Sequence, residues 1–186
     1  MALDILRLIR GFSRDKRKVL ALIVAFIAVL SLAAGLVGQM FIAAILIAEI
    51  ALSFFLGRME IRQFGIELVT LATVLSGALY GPMAGALVGG VLLSMRFVLT
   101  KGLGGYVLYC VPMMAVIGAV SGYSVAFFGG IAVAGIVLSG IYNLVTASLG
   151  TAVMNDFIQE AVWSGTDFAI NVFLFWYVAP AIFALA

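Results

Sequence analysis

The sequence predicts an all-α fold, a polytopic membrane bundle of six to seven transmembrane helices. Three observations carry that prediction. The chain of 186 residues is 66% hydrophobic and 10% charged, whereas soluble domains carry about 25% charged residues. A soluble core of this size could not hide so much apolar surface, so the solvent is lipid. Apolar runs recur that approach the roughly 20 residues needed to cross a bilayer. Finally, glycines fall at every fourth position, at Gly77, Gly81, Gly85 and Gly89, the spacing with which helices pack closely in lipid.

Residues 1–18, MALDILRLIRGFSRDKRK, form a basic amphipathic segment ahead of a single transmembrane domain over 19–186. Leu3, Leu6, Ile9 and Phe12 recur at three-residue spacing, with Arg7, Arg10 and Arg14 between them. Such a helix suits a membrane surface, and the alternative is a solvated juxtamembrane tail. No small-residue cleavage pattern follows, so a signal peptide is not expected.

Hydropathy then gives seven spans, at Val19–Val37, Met40–Leu56, Phe64–Tyr80, Pro82–Leu99, Tyr106–Val125, Phe127–Leu149 and Val162–Leu185. Six remain if one early segment is interfacial or re-entrant. Gly81-Pro82 separates the third from the fourth. Proline disfavours helix in the residue before it and fits the first turn of a new one, which predicts a tight hairpin. Of the ten basic residues, Arg7, Arg10, Arg14, Lys16, Arg17 and Lys18 cluster at the start. The positive-inside rule puts that end in the cytoplasm, in a cell membrane. With seven spans, Arg58, Arg62 and Lys101 also fall inside.

The residues offer little to an enzyme. Histidine is absent, which removes the usual metal ligand and general base. Cys110 stands alone in an apolar run, where an inert buried thiol is the default. No zinc, Walker or Ser/His pattern occurs, so no metal, cofactor or nucleic-acid partner is expected.

Polar groups inside spans are costly and usually face the protein interior or a water-filled cavity. Glu49, Glu67, Arg96, Asn143, Asp167 and Asn171 are such groups. Asp167 and Asn171 are four residues apart and share a helix face, with Thr166 beside them. Two readings stay open: pairing across helices, or a pocket for a polar small molecule. In the second, Glu67, Arg96, Tyr142, Asn143, Trp163, Asp167 and Asn171 are the candidate substrate-binding residues. Small-residue pairs at four-residue spacing, such as Ala44 with Ala48 and the track containing Gly77 and Gly85, either pack the chain's own helices or dock a partner subunit.

The run GIELVTLATVLSGALYGPMAGALVGG, Gly65 to Gly90, resembles the membrane-embedded substrate-binding (S) components of energy-coupling-factor transporters. In that family an apolar helix ends in a Gly-Pro turn and a small-residue helix follows. The next run, GLGGYVLYCVPMMAVIGAVSG, Gly102 to Gly122, is similar to the following part of biotin-type members. Together they cover about a third of the chain, and their glycine- and alanine-rich motifs are weakly specific. The resemblance implies a binder of a vitamin-like nutrient that docks on a transmembrane coupling subunit driven by ATPase subunits. The family's Ala-xxx-Ala docking motif falls on Ala44 and Ala48, or on Ala21 and Ala25 if the helices are counted from an earlier one. The resemblance puts the Gly-Pro turn on the cytoplasmic side, whereas the basic residues put it outside.

Two other functions fit the same composition. One is a non-enzymatic membrane scaffold similar to the MreD-like proteins of the cell-shape machinery, which binds proteins and no small molecule. The other is a membrane-embedded lipid enzyme, for which Asn155, Asp156, Glu160 and Asp167 come nearest to an oxygen-ligand site for a hard cation.

Overall fold

The computed structural model describes residues 36–59, 65–100, 104–154 and 157–185. The basic segment 1–18, nearly all of the span Val19–Val37, and Arg62, Lys101, Asn155 and Asp156 lie outside them. Among the described residues the regular structure is helical throughout. The helices are α1 (Leu36–Met59), α2 (Val69–Tyr80), α3 (Pro82–Leu99), α4 (Val107–Phe128), α5 (Ile131–Met154) and α6 (Phe157–Phe173). A π-helical turn, Leu174–Val178, carries α6 directly into α7 (Ala179–Leu185), so the last three segments form one rod. The second to seventh spans expected from hydropathy thus correspond to six rods. Four of these, α3, α4, α5 and the rod Phe157–Leu185, are long and apolar enough to cross a membrane.

The outer surface agrees with lipid as the solvent. Leu108, Phe127, Leu144, Ile158, Trp176 and Tyr177 all stand exposed on it. In water such a surface would be an aggregation liability; in hydrocarbon it costs nothing. Four long apolar helices with this surface mark the chain as membrane-embedded.

The centre of the bundle is α2. It touches α1, α3, α4, α5 and α7, and every residue from Val69 to Gly77 is buried. Its 12 residues make a helix about 18 Å long, short of the roughly 30 Å hydrocarbon core. Hydropathy starts this span at Phe64. The helix instead begins at Val69, and residues 65–68 are non-helical. Side chains from other helices take up the backbone groups that helix would otherwise satisfy. Irregular backbone inside a membrane protein is tolerated where protein surrounds it in this way.

The Gly-Pro hairpin forms as its residues predict. Gly81 has φ +92°, a conformation that side chains rarely adopt, and Pro82 opens α3 in its first turn. Beyond it the glycine track closes against α4. A Cβ on Gly77 or Gly85 would overlap the Gly118 carbonyl oxygen, and one on Gly118 would overlap Gly85. A Cβ on Gly89 would meet the Met114 carbonyl oxygen at 2.7 Å, a looser contact than those at Gly118. The surfaces of Gly77 and Gly85 are therefore occupied by this chain's own α4, not offered to a partner subunit. Ala44 and Ala48 are exposed on α1. At the other side of the core, the π turn seats the buried Phe175 ring directly on Gly135.

Candidate functional site

Antiparallel pairing of α2 and α3 brings the start of α2 beside the end of α3. That geometry places the acidic segment before α2 next to Arg96, which lies in the last turn of α3. Both helix ends suit these charges, because a helix dipole favours anions at its N-terminus and cations at its C-terminus. Arg96 is 7% exposed, Glu49 1% and Glu67 0%.

The guanidinium is held on three sides. Its Nη1 donates to Glu49 Oε1 at 2.7 Å, and its Nη2 donates to the Ile66 carbonyl at 2.9 Å. Its Nε faces Glu67 Oε2 at 3.4 Å, an ion pair longer than a hydrogen bond. Glu49 in turn caps the chain leading into α2: its Oε2 accepts from the Leu68 N–H at 2.7 Å. The Ser53 hydroxyl, one turn along α1, donates to Glu49 Oε1 at 2.7 Å. The Thr70 hydroxyl donates to Glu67 Oε1 at 3.0 Å. So an arginine, two carboxylates and a bare backbone segment lock α1, α2 and α3 together.

The second half of the cluster comes from α5 and α6. Asp167 is 0% exposed and receives one amide on each carboxylate oxygen. Asn143 Nδ2 donates to its Oδ2 at 2.7 Å, and Asn171 Nδ2 donates to its Oδ1 at 3.0 Å. Asp167 is the eleventh residue of α6, about 15 Å along the rod from its start. The two halves meet at Gly65. Its N–H donates to the Thr166 hydroxyl at 2.9 Å, and a Cβ there would collide with the Asp167 Cβ and the Trp163 carbonyl. Arg96, Glu67 and Asp167 accordingly lie within electrostatic range of one another.

Comparisons with family models, with curated proteins and with solved structures return no match. The site therefore rests on its own geometry.

Of the seven residues expected to bind substrate, five converge here: Glu67, Arg96, Asn143, Asp167 and Asn171. Tyr142 is fully buried beside them but belongs to the hydrophobic core. Trp163 is half-buried and turns its carbonyl toward the Gly65 segment. Glu49 was legible as an intramembrane charge, yet its pairing with Arg96 and its capping of Leu68 were not. The available signal was the need of a buried guanidinium for a partner. Ser53, at the i+4 position from Glu49, was a second. Gly65 gave no sequence signal, since its role depends on how close α6 comes.

A second polar contact lies nearer the start of α6. Glu160 is buried, accepts a hydrogen bond from the Tyr106 hydroxyl, and rests on Gly150. Among the described residues no three His, Cys, Asp or Glu side chains gather as a metal site.

Proposed function

We propose that this chain is the membrane-embedded substrate-binding subunit of a small-molecule uptake system, with the cluster around Arg96 and Asp167 as its binding site. One observation carries the reading: polar groups from five helices meet in the interior, and three of their buried acceptor atoms make no hydrogen bond among themselves. Asn143 Oδ1 and Asn171 Oδ1 are buried without a hydrogen-bond donor, and Glu67 Oε2 has only its 3.4 Å ion pair with Arg96. Buried polar atoms in folded proteins are nearly always paired, and an orphan costs about 1–3 kcal/mol. The open acceptors on Asn143 and Asn171 are what a ligand's donors would complete.

The resemblance of Gly65 to Gly122 to energy-coupling-factor S components supports the transport setting. In that setting the chain spans the cell membrane with six to seven helices and its N-terminus in the cytoplasm. It has no enzymatic activity of its own. It captures a vitamin-like compound and leans on a coupling subunit, with Ala44 and Ala48 on α1 as the contact.

Mass spectrometry of small molecules released from protein purified gently in detergent tests this. A stoichiometric compound is the expected result. A protein that stays empty after incubation with riboflavin, biotin and thiamine, and that recovers a protein partner instead, overturns it in favour of the MreD-like scaffold.

A further inference from the structure

We infer that α6 is a gate over this cluster, swinging away from residues 65–68 about the π turn while α7 stays seated. The inference deepens the binding-subunit reading and rests on it for what passes the gate. The motion itself is measured without a ligand, so the two can fail separately.

The cluster is closed. Glu49, Glu67, Arg96 and Asp167 are each 7% exposed or less, so a solute reaches them only after some element moves. The packing singles out one. α2 and α3 pack on each other and on α4, and Arg96 joins α3 to α1 through Glu49. α7 is seated on α1, α2 and α5. α6, by contrast, packs on α5. Its Thr166 hydroxyl takes the Gly65 N–H, and its Glu160 takes the Tyr106 hydroxyl. A net hydrogen bond is worth much less than an interlocked apolar face.

The chemistry of the buried face favours opening as well. The buried residues of α6 are Glu160, Ser164, Asp167 and Asn171, all polar. Phe157, Ile158, Val162, Phe168 and Phe173 stand exposed on its other sides. Separating an apolar interface puts hydrocarbon in water, whereas separating this one uncovers groups that water hydrates. Ser164 Oγ and Asn171 Oδ1 have no hydrogen-bond partner in the closed arrangement. Each gains one when water enters, which offsets the bonds that open.

The π turn Leu174–Val178 supplies the pivot. The Ala179 N–H donates to the Leu174 carbonyl, and Pro180 next to it has no N–H to continue the ladder. Helices bend at such wide turns and at prolines. The buried Phe175 ring on Gly135 holds the turn in place, so bending there moves α6 against a fixed α7.

Hydrogen exchange on the full-length wild-type protein in nanodiscs, resolved to single amides, tests this. The Gly65 N–H is held across the gate by Thr166, and the Leu68 N–H is held behind it by Glu49. Gly65 is buried and Leu68 half-buried, so a static bundle protects Gly65 at least as well. The gate predicts the reverse, with a protection factor at Gly65 at least tenfold below that at Leu68. Spin labels then follow the helices in a Cys110→Ala background. Leu108→Cys with Gly165→Cys spans α4 and α6 at exposed sites, and Leu108→Cys with Leu185→Cys spans α4 and α7. Electron–electron distances should show a second population for the α6 pair, enlarged by Thr166→Val, and one unchanged population for the α7 pair. Protection at Gly65 equal to or above that at Leu68 overturns the inference. So does a single distance for the α6 pair with and without Thr166→Val, or a shift of both pairs together. The amide comparison uses wild-type protein alone, so it decides even if a labelled variant fails to fold. Mass spectrometry that finds no released compound would overturn the binding-subunit reading while leaving the motion of α6 standing.

Discussion

Replacing Arg96 by methionine keeps a long side chain and removes the guanidinium. The variant loses the 2.7 Å bond to Glu49, the 2.9 Å bond to the Ile66 carbonyl and the 3.4 Å pair with Glu67. Two carboxylates, 1% and 0% exposed, are then left without their cation. Removing one partner of a buried ion pair costs about 3–5 kcal/mol. At roughly 2–4 °C per kcal/mol for chains of this size, Tm should fall by about 6–20 °C. Thermal unfolding in detergent, followed by the loss of monodisperse protein, reads this directly. Adding Glu49→Gln to Arg96→Met should recover part of the loss, because a neutral amide oxygen can still accept from the Leu68 N–H. An Arg96→Met protein within about 2 °C of wild type would refute the reasoning. So would a double variant whose losses simply add, since residues in one network should couple.

The glycines give a graded set of predictions. Gly118→Val should lower Tm by more than any other glycine change, because its side chain would enter the Gly85 backbone; thermal unfolding checks it. Gly165→Ala meets nothing within 4 Å and should leave stability unchanged or raise it by up to about 1 kcal/mol, the helix preference of alanine over glycine. Gly81→Ala also meets nothing, yet it should destabilise by about 1 kcal/mol or more because of its φ of +92°. Gly65→Val should push residues 65–68 away from Asp167 and weaken ligand retention more than it lowers Tm, which dialysis and unfolding on the same sample separate.

Much of this architecture was legible in the sequence because lipid leaves few choices. Apolar length sets the helices, and Pro82 after Gly81 sets a hairpin boundary to the residue. The short α2 was harder. Its hydropathy runs on from the residues before it, and what stops the helix at Val69 is the capture of the Leu68 N–H by Glu49 and of the Gly65 N–H by Thr166. Both are tertiary contacts, one of them spanning 101 residues of sequence. The glycine track showed close packing but not its direction, since Gly77 and Gly85 could face either a partner or α4. Likewise, the cost of burying charge marked Glu67, Arg96 and Asp167 as interior groups. Which carboxylate Arg96 would choose depends on the antiparallel α2–α3 pairing and on the rotation of α1, and neither is written in a local pattern.

The interior cluster is proposed to bind a small molecule. Its most direct test compares wild-type and Asp167→Asn protein purified in parallel, with the compounds released from each measured by mass spectrometry against protein concentration. Wild type should yield a stoichiometric compound and Asp167→Asn at least a tenfold smaller amount, with both proteins monodisperse. Equal amounts from the two, or nothing from either after incubation with the vitamin panel, would contradict it.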